Sequence, residues 1–259
     1  EDRFYYLNFK DKASIKLKSE SEFIVANPIS KKQIKKNKNR LVLCMFVDGL
    51  CYLENNEKYK FEETMPKTYN FFKKGTIFKN HFTNADWTLP SAASFFTGCY
   101  FQKHKFFHPN YPHEFRSDIM TLSEYFQKEG YHTLQINGNL WLNPIYGYLR
   151  GFDRTIFYNH FSCAEVLNNF FEHNKSFFER DQFVWLSFME LHNYINLIPD
   201  LQSQVNLDNV YSKKKETKKS LFRDYDEVKI KKHVQEMKRL DFYFGMLFNY
   251  IQENYSDDE

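Results

Sequence analysis

The chain has 259 residues, of which 42% are hydrophobic and 19% aromatic, and its formal net charge is +3. This composition excludes a disordered chain, and so small a net charge gives no indication of nucleic-acid binding. The sequence contains no apolar run of the roughly 20 residues that cross a membrane, and no signal-peptide pattern opens it.

Residues 1–40 differ in character from the rest of the chain. Their aromatic and alternating segments are typical of short strands, and the run SKKQIKKNKN is typical of a solvated basic linker. We therefore expect residues 1–40 to be an N-terminal arm or the tail of an upstream domain. Residues 41–259 are expected to form an α/β domain, which a further domain could precede or follow.

Segments with strand character alternate with helical segments from residue 41 onward. The predicted strands are LVLCMFV, TIFKNHFT, YHTLQIN and QFVWLSFMEL, and the predicted helices are ETMPKTYNFFKKG, LPSAASFFTG, MTLSEYFQKEG, CAEVLNNFFEHNKSFFE and VQEMKRLDFYFGMLFNYIQEN. The continuous apolar runs in the first and last strands are typical of strands that are buried on both faces. The alternation predicts a doubly wound, mainly parallel sheet flanked by helices.

Three polar residues follow predicted strands, where open α/β sheets bind their ligands. Asp48 follows the first strand, Thr88 follows the second and begins a helix, and His192 follows the last. A carboxylate in apolar surroundings needs a partner or a metal, and a helix N-terminus favours an anion. Each residue also has a structural interpretation, as a strand-end cap, a helix N-cap and a core histidine respectively.

The helix after Thr88 begins with small residues, and a basic loop follows it. Ser91 and the alanines after it would leave room for a bound anion, which Lys103 and His104 could neutralise. A solvated basic loop is the alternative interpretation.

The four cysteines have neither the spacing of a metal site nor an evident pairing. They are Cys44, Cys51, Cys99 and Cys163. Free thiols in a reducing compartment are the simplest interpretation, so we expect a cytoplasmic protein, with a periplasmic or extracellular location as the alternative.

The series of motifs resembles the alkaline phosphatase superfamily and, within it, the sulfatase-like branch. The resemblance is carried by LVLCMFVDGL, MPKTYNFFKKGTIFKNHFTNADWTLPSAASFFTGCYFQKH, DIMTLSEYFQKEGYHTLQING, LRGFD, FVWLSFMELHNYI and RLDFYFGMLFNYIQEN. These motifs follow one another in the family's order from about Leu41 to the C-terminus. The resemblance implies that residues 41–259 are the N-terminal portion of a sulfatase-like core.

The resemblance also implies roles for the site residues. Asp48 falls on the first metal ligand, and Thr88 falls on the catalytic nucleophile, whose oxygen also binds the metal. His104 falls on the active-site histidine of the loop after the helix, with Lys103 on the basic residue before it. His192 falls on the histidine that faces the substrate.

The nucleophile position separates the activities within this superfamily. Sulfatases carry Cys or Ser there, converted to formylglycine, and an Arg four residues later, whereas this chain has Thr88 and Ala92. This pattern resembles phosphodiesterases, phosphoethanolamine transferases and phosphoglycerol transferases. It implies a metal-dependent phosphoester hydrolase or phospho-group transferase that acts on an anionic ester, such as a glycan- or lipid-linked one. The alternatives are an inactive sulfatase-like scaffold or binding domain, and a sulfuric ester hydrolase.

One family feature has no counterpart in the chain. The resemblance implies a divalent metal (Zn, Mn, Mg or Ca) in the complete protein, held partly by an Asp-His pair after the final helix, but the sequence contains no Asp-His dipeptide. The chain is therefore truncated, complemented by a second fragment, or a relative that lost its metal site. We expect this chain alone to bind metal weakly or not at all. Asp48 and Thr88 should still lie close together at the carboxyl edge of the sheet.

Overall fold

A computed structural model of the protein describes residues 6, 7, 9, 14–28, 39–50, 59–78, 80–108, 115–159, 161–192 and 227–255. The strands are β1 (Leu41–Val47), β2 (His132–Asn137), β3 (Arg154–Phe157) and β4 (Gln182–Phe188). They form one sheet in the order β1-β4-β2-β3, and all neighbours are parallel. Leu41 and His132 both pair with Gln182, so the strands start at one edge of the sheet and end at the other.

Helices cover both faces of this sheet. They are α1 (Phe61–Thr64), α2 (Pro66–Phe72), α3 (Thr88–Thr97), α4 (Phe101–His104), α5 (Leu122–Lys128), α6 (Cys163–Ser176) and α7 (Glu227–Asn254), with 3₁₀ turns at Leu140–Leu142 and Pro144–Tyr146. None of the helices in the described part of the chain has the length and apolar character needed to span a bilayer. The predicted α/β class and doubly wound arrangement are confirmed.

Alternate side chains of the strands enter two different cores. In β4, Val184, Leu186 and Phe188 pack with α6 and α7 on one face, whereas Trp185 packs with α3 on the other. Both faces are covered by apolar side chains, which explains the continuous apolar runs in the sequences of β1 and β4. The two helical layers therefore leave the ends of the strands as the open edges of the sheet.

The small residues of α3 have a packing role. Ala92 and Ala93 are both 0% exposed and belong to the core that contains Trp185. Their size lets the α3 backbone approach its neighbours closely, so the structural reason for these alanines is helix packing.

Two predictions about elements were wrong. The described residues of TIFKNHFT form no strand, because their apolar side chains are exposed, with Phe78 at 77% and Phe82 at 83%, and none of these residues pairs with the described sheet. ETMPKTYNFFKKG forms two helices rather than one, because Pro66 starts a new helix after Met65. The described residues of the 1–40 arm contain no strand.

Candidate active site

Asp48 is the first residue after β1, at the carboxyl edge of the sheet. Its backbone N–H donates to the carbonyl of Phe188 at 3.0 Å, which continues the pairing of β1 with β4. Gly49 then takes a φ of +83°, and a Cβ at this position would lie 2.9 Å from the carbonyl carbon of Leu191. Only glycine suits both the conformation and this close approach. Asp48 therefore lies beside the turn that carries Leu191 and His192.

Thr88 is the first residue of α3, and its side chain points toward Asp48. The N-cap of α3 is Trp87, which adopts an extended conformation and makes no side-chain cap. Thr88 is 7% exposed, and its hydroxyl Oγ1 donates to Asp48 Oδ2 at 2.9 Å. The N-cap interpretation of Thr88 is therefore wrong, and the expected proximity of Asp48 and Thr88 is confirmed.

Asn139 is a third member of this site, and sequence reasoning missed it. Its side-chain Nδ2 donates to Asp48 Oδ2 at 2.6 Å, so one carboxylate oxygen receives two donors. Asn139 is 0% exposed and follows β2 by two residues. Its position just after a buried strand was the available signal, because the carboxyl ends of parallel strands meet at one edge.

His104 lies at the end of α4 and is 1% exposed. Its Nδ1 accepts from the backbone N–H of Phe106 at 3.0 Å, so Nε2 carries the ring proton and donates to Ser94 Oγ at 3.1 Å. Burial lowers the pKa of His104 to about 4. His104 is therefore a neutral imidazole at pH 7, and its hydrogen bonds hold α3 and α4 together.

Of the other predicted site residues, Lys103 and His192 are exposed and Ser91 is half-buried. Lys103 is exposed on α4, where its charge acts on Asp118, and His192 is exposed at the turn after β4. The Ser91 hydroxyl donates to the carbonyl of Ala85 at 3.1 Å and so ties α3 to the preceding loop. The structure brings Asp48 and Thr88 into direct contact, whereas the roles of Ser91, Lys103, His104 and His192 stay predictions.

Most of this chain, including Thr88 and Asn139 but not Asp48, matches a family of known proteins. The model of the sulfatase family matches residues 57–259, which is most of the chain. The chain belongs to the sulfatase family. A search of curated proteins found no match.

Solved structures share the fold of this sulfatase-family chain. The C-terminal periplasmic domain of EptC from Escherichia coli is 14% identical with a TM-score of 0.57, over 86% of this chain and 62% of that one. The corresponding domain of phosphoethanolamine transferase EptC from Campylobacter jejuni is 13% identical with a TM-score of 0.57, over 84% and 65%. Lipoteichoic acid synthase LtaP from Listeria monocytogenes is 13% identical with a TM-score of 0.53, over 85% and 53%. The chain thus spans less than two thirds of each of these structures.

The described residues of this sulfatase-family chain do not by themselves fit a divalent metal. Asp48 offers one carboxylate and Thr88 one hydroxyl, and Asn139 turns its donor side toward Asp48. No group of three or more His, Cys, Asp or Glu side chains in the described ranges could hold an ion. A bound divalent ion takes roughly four to six ligands, so the described residues provide only part of such a set.

Proposed function

We propose that the protein carrying this chain hydrolyses or transfers a phospho group through Thr88 as nucleophile. The observation that carries this proposal is the 2.9 Å hydrogen bond from Thr88 Oγ1 to Asp48 Oδ2 at the start of α3. It joins a hydroxyl, a proton acceptor and a helix N-terminus in one place. The sulfatase family match supports the same reaction class, since the family cleaves anionic esters.

The proposed first step forms a bond between Thr88 Oγ1 and phosphorus and breaks the bond from phosphorus to the leaving oxygen, which departs with its electron pair. The Thr88 proton passes to Asp48 Oδ2, the atom that already accepts its hydrogen bond. In the second step a water or an acceptor hydroxyl attacks phosphorus and loses its proton to solvent. The bond from phosphorus to Thr88 Oγ1 breaks, and Oγ1 takes back the proton that Asp48 Oδ2 holds. Because a threonine hydroxyl is far less acidic than a carboxylic acid, Asp48 alone is a weak base for it, and the reaction needs further activation of Thr88.

The start of α3 supplies the proposed anion site. In its first turn, the N–H groups of Thr88 and Leu89 have no acceptor within the helix, Pro90 has no N–H, and the Ser91 N–H donates to the carbonyl of Trp87 at 3.4 Å. The helix dipole adds partial positive charge there. Ser91 and the exposed Lys103 and His192 are the proposed substrate-side residues. His104 is proposed to stay a neutral imidazole and to affect the site only through the hydrogen bond that it donates to Ser94 Oγ.

The proposed substrate is an anionic phosphoester on a glycan or a lipid, and the proposed location is periplasmic or extracellular. Two neighbours are named as periplasmic domains, one of them a phosphoethanolamine transferase, and another as a lipoteichoic acid synthase. These names favour the alternative over the cytoplasmic location that the cysteines suggested. Cys44, Cys99 and Cys163 are free in the described part of the chain, which is compatible with either location.

The test is a comparison of Thr88→Ala and Thr88→Ser in the complete natural protein, with bis-p-nitrophenyl phosphate as substrate. Thr97→Ala is the matched control, because Thr97 ends the same helix and its hydroxyl donates only to the carbonyl of Ala93. We expect Thr88→Ala to lower turnover by at least about 10³-fold, Thr88→Ser to retain part of it, and Thr97→Ala to retain most of it. Undiminished turnover in Thr88→Ala would remove Thr88 from the mechanism.

Two alternatives have an observation in their favour. The incomplete set of metal ligands in the described residues favours a non-catalytic scaffold, which predicts no turnover of any ester by the complete protein. The name of the matched family favours sulfate esters, which predicts faster cleavage of p-nitrophenyl sulfate than of the phosphate diester. Thr88 and Ala92 favour phosphorus over sulfate esters, since formylglycine is not formed from threonine. The presence of Asp48, Thr88, His104 and His192 together favours an enzyme over the scaffold.

A further inference from the structure

The orientation of the Asn139 amide is determined by the hydrogen bond that its oxygen accepts. Its Oδ1 accepts from the backbone N–H of Trp141 at 2.9 Å, while its own backbone N–H donates to Asn137 Oδ1 at 2.8 Å. If the amide were flipped, its NH₂ group would face the Trp141 N–H, and two donors would oppose each other. Nδ2 must therefore point to Asp48, which it reaches at 2.6 Å.

Asp48 Oδ2 is consequently held from two sides. Asn139 approaches from the loop after β2, and Thr88 approaches from the start of α3. Asp48 is half-buried, and a carboxylate in such surroundings is stabilised by donors that fix its direction. Without Asn139, Thr88 would be the one described donor on this oxygen, and the carboxylate could rotate with it.

We propose that Asn139 is a positioning residue that holds Asp48 in the orientation in which Oδ2 accepts the Thr88 hydroxyl. An amide neither gives nor takes a proton in this reaction, so Asn139 acts through Asp48 alone. The consequence for turnover rests on the proposed function, whereas the orientation of Asp48 does not.

Asn143 provides a matched control in the same loop. Asn139 caps the 3₁₀ turn Leu140–Leu142, and Asn143 caps the next one, Pro144–Tyr146, by accepting from the backbone N–H of Ile145 at 3.0 Å. The two asparagines share the capping role, and Asn139 adds the contact with Asp48. A difference between their variants therefore reports that contact rather than the loss of a cap.

The first experiment uses NMR on this chain. In the unsubstituted chain, one side-chain amide proton of Asn139 should lie downfield of those of Asn143, and Asp48→Ala should abolish this shift. Asn139→Ala removes both the donor to Asp48 and the acceptor for Trp141, and Asn139→Asp keeps the acceptor but replaces the amide donor with a carboxyl group that repels Asp48 when ionised. Either variant should increase the exchange rate of the Thr88 hydroxyl proton by roughly 10-fold, whereas Asn143→Asp and Asn143→Ala should not.

Three results of this experiment would overturn the proposal. They are the absence of the downfield shift in the unsubstituted chain, unchanged Thr88 hydroxyl exchange in a folded Asn139 variant, and equal changes in the Asn143 variants. The downfield shift is measured in the unsubstituted chain, so this result tests the proposal even if every Asn139 variant fails to fold.

The second experiment measures kinetics in the complete protein. Asn139→Asp should lower kcat roughly 10- to 100-fold with little change in KM, and Asn143→Asp should leave both close to the unsubstituted values. An equal loss in both variants, or a change confined to KM, would contradict the positioning role. If the unsubstituted protein cleaves no phosphoester, the proposed function fails, while the NMR result still decides the orientation of Asp48.

Discussion

The two edges of the sheet are both polar, but their polar groups are used differently. At the amino edge, His132 begins β2 and stacks on His173 of α6, with ring centroids 5.0 Å apart and planes 7° from parallel. Both histidines are 0% exposed. The Tyr6 hydroxyl lies 2.8 Å from His173 Nδ1, and Asp153 Oδ2 lies 3.1 Å from His132 Nδ1.

Several groups at the amino edge have strongly shifted pKa values. Burial lowers the pKa of His173 well below its usual value and raises the pKa of Tyr6 to about 12. Burial also acts to raise the pKa of Asp153, but contacts with His132, the Thr133 backbone N–H and Gln127 outweigh it and hold that pKa well below its usual range. Perturbed pKa values often mark functional sites, yet here they mark a packed structural cluster.

The carboxyl edge has fewer polar groups, but they meet a helix N-terminus. Asp48 is half-buried and holds Thr88 and Asn139 on one oxygen, beside the exposed His192. Burial therefore shifts pKa values wherever polar groups are packed, whether or not they form a functional site. A candidate site additionally needs a nucleophile at the open ends of the strands.

The largest expected effect that separates the two edges is on turnover. Asp48→Asn in the complete protein should lower kcat for bis-p-nitrophenyl phosphate by at least about 10³-fold, because Thr88 loses its charged acceptor. Asp153→Asn, an identical substitution at the amino edge, should leave kcat within about 3-fold of the unsubstituted value. Similar losses in both variants would show that the edges do not differ in function.

The next effect concerns the packing of Gly49 against Leu191. Gly49→Ala should destabilise the chain by about 3 kcal/mol, because its φ of +83° is strained for alanine and the new Cβ would lie 2.9 Å from a backbone carbon. Gly130→Ala is the control, since its φ is +87° but no atom lies within 4 Å of the new Cβ, so about 1 kcal/mol is expected. Urea unfolding measures the free energy of unfolding of both variants. Equal losses would mean that the contact of the new Cβ with Leu191 adds nothing to the cost of Gly49→Ala.

A smaller effect tests the buried imidazole of His104 by its pH dependence. The folded pKa of about 4 lies below the usual value, so the stability from neutral His104 is complete above about pH 6.5 and is lost as the pH falls through 4. The unsubstituted chain should lose about 2 kcal/mol more than His104→Gln between pH 7 and pH 4. Parallel pH profiles of unfolding free energy in the two chains would show that His104 is not buried in solution.

The smallest effect is expected from Asp153 on stability. Its depressed pKa means that its stabilising contribution is present above the unfolded value of about 3.9 and is lost as the pH falls below it. Asp153→Asn should therefore cost about 1.5 kcal/mol at pH 7 and much less at pH 2. Thermal unfolding at the two pH values measures this, and a cost that does not depend on pH would assign the effect to the loss of packing.

The sequence by itself determined the fold class, three of the four described strands (β1, β2 and β4) and the place of Asp48 at the end of β1. The pairing of Thr88 with Asp48 was implied by the family resemblance, because the strand expected before Thr88 is absent from the described sheet. Continuous apolar runs require burial on both faces, and such strands are parallel, so their carboxyl ends had to meet at one edge. The helix predicted for MTLSEYFQKEG begins with a capping box of Thr121 and Glu124, a local motif of residues three apart.

Only the tertiary structure decided the remaining features, because they depend on contacts between residues distant in sequence. TIFKNHFT has the composition of a strand but no pairing partner among the described strands, whereas β3 is short and half-buried and pairs with β2 alone. Asn139 joined the site because Asp48, 91 residues away in the sequence, lies beside the end of β2. His104 carried a sequence signal for catalysis, but its burial and its partner Ser94 follow from the packing of α4 on α3. Local pattern sets which segments are strands and helices, and long-range packing sets which polar groups meet.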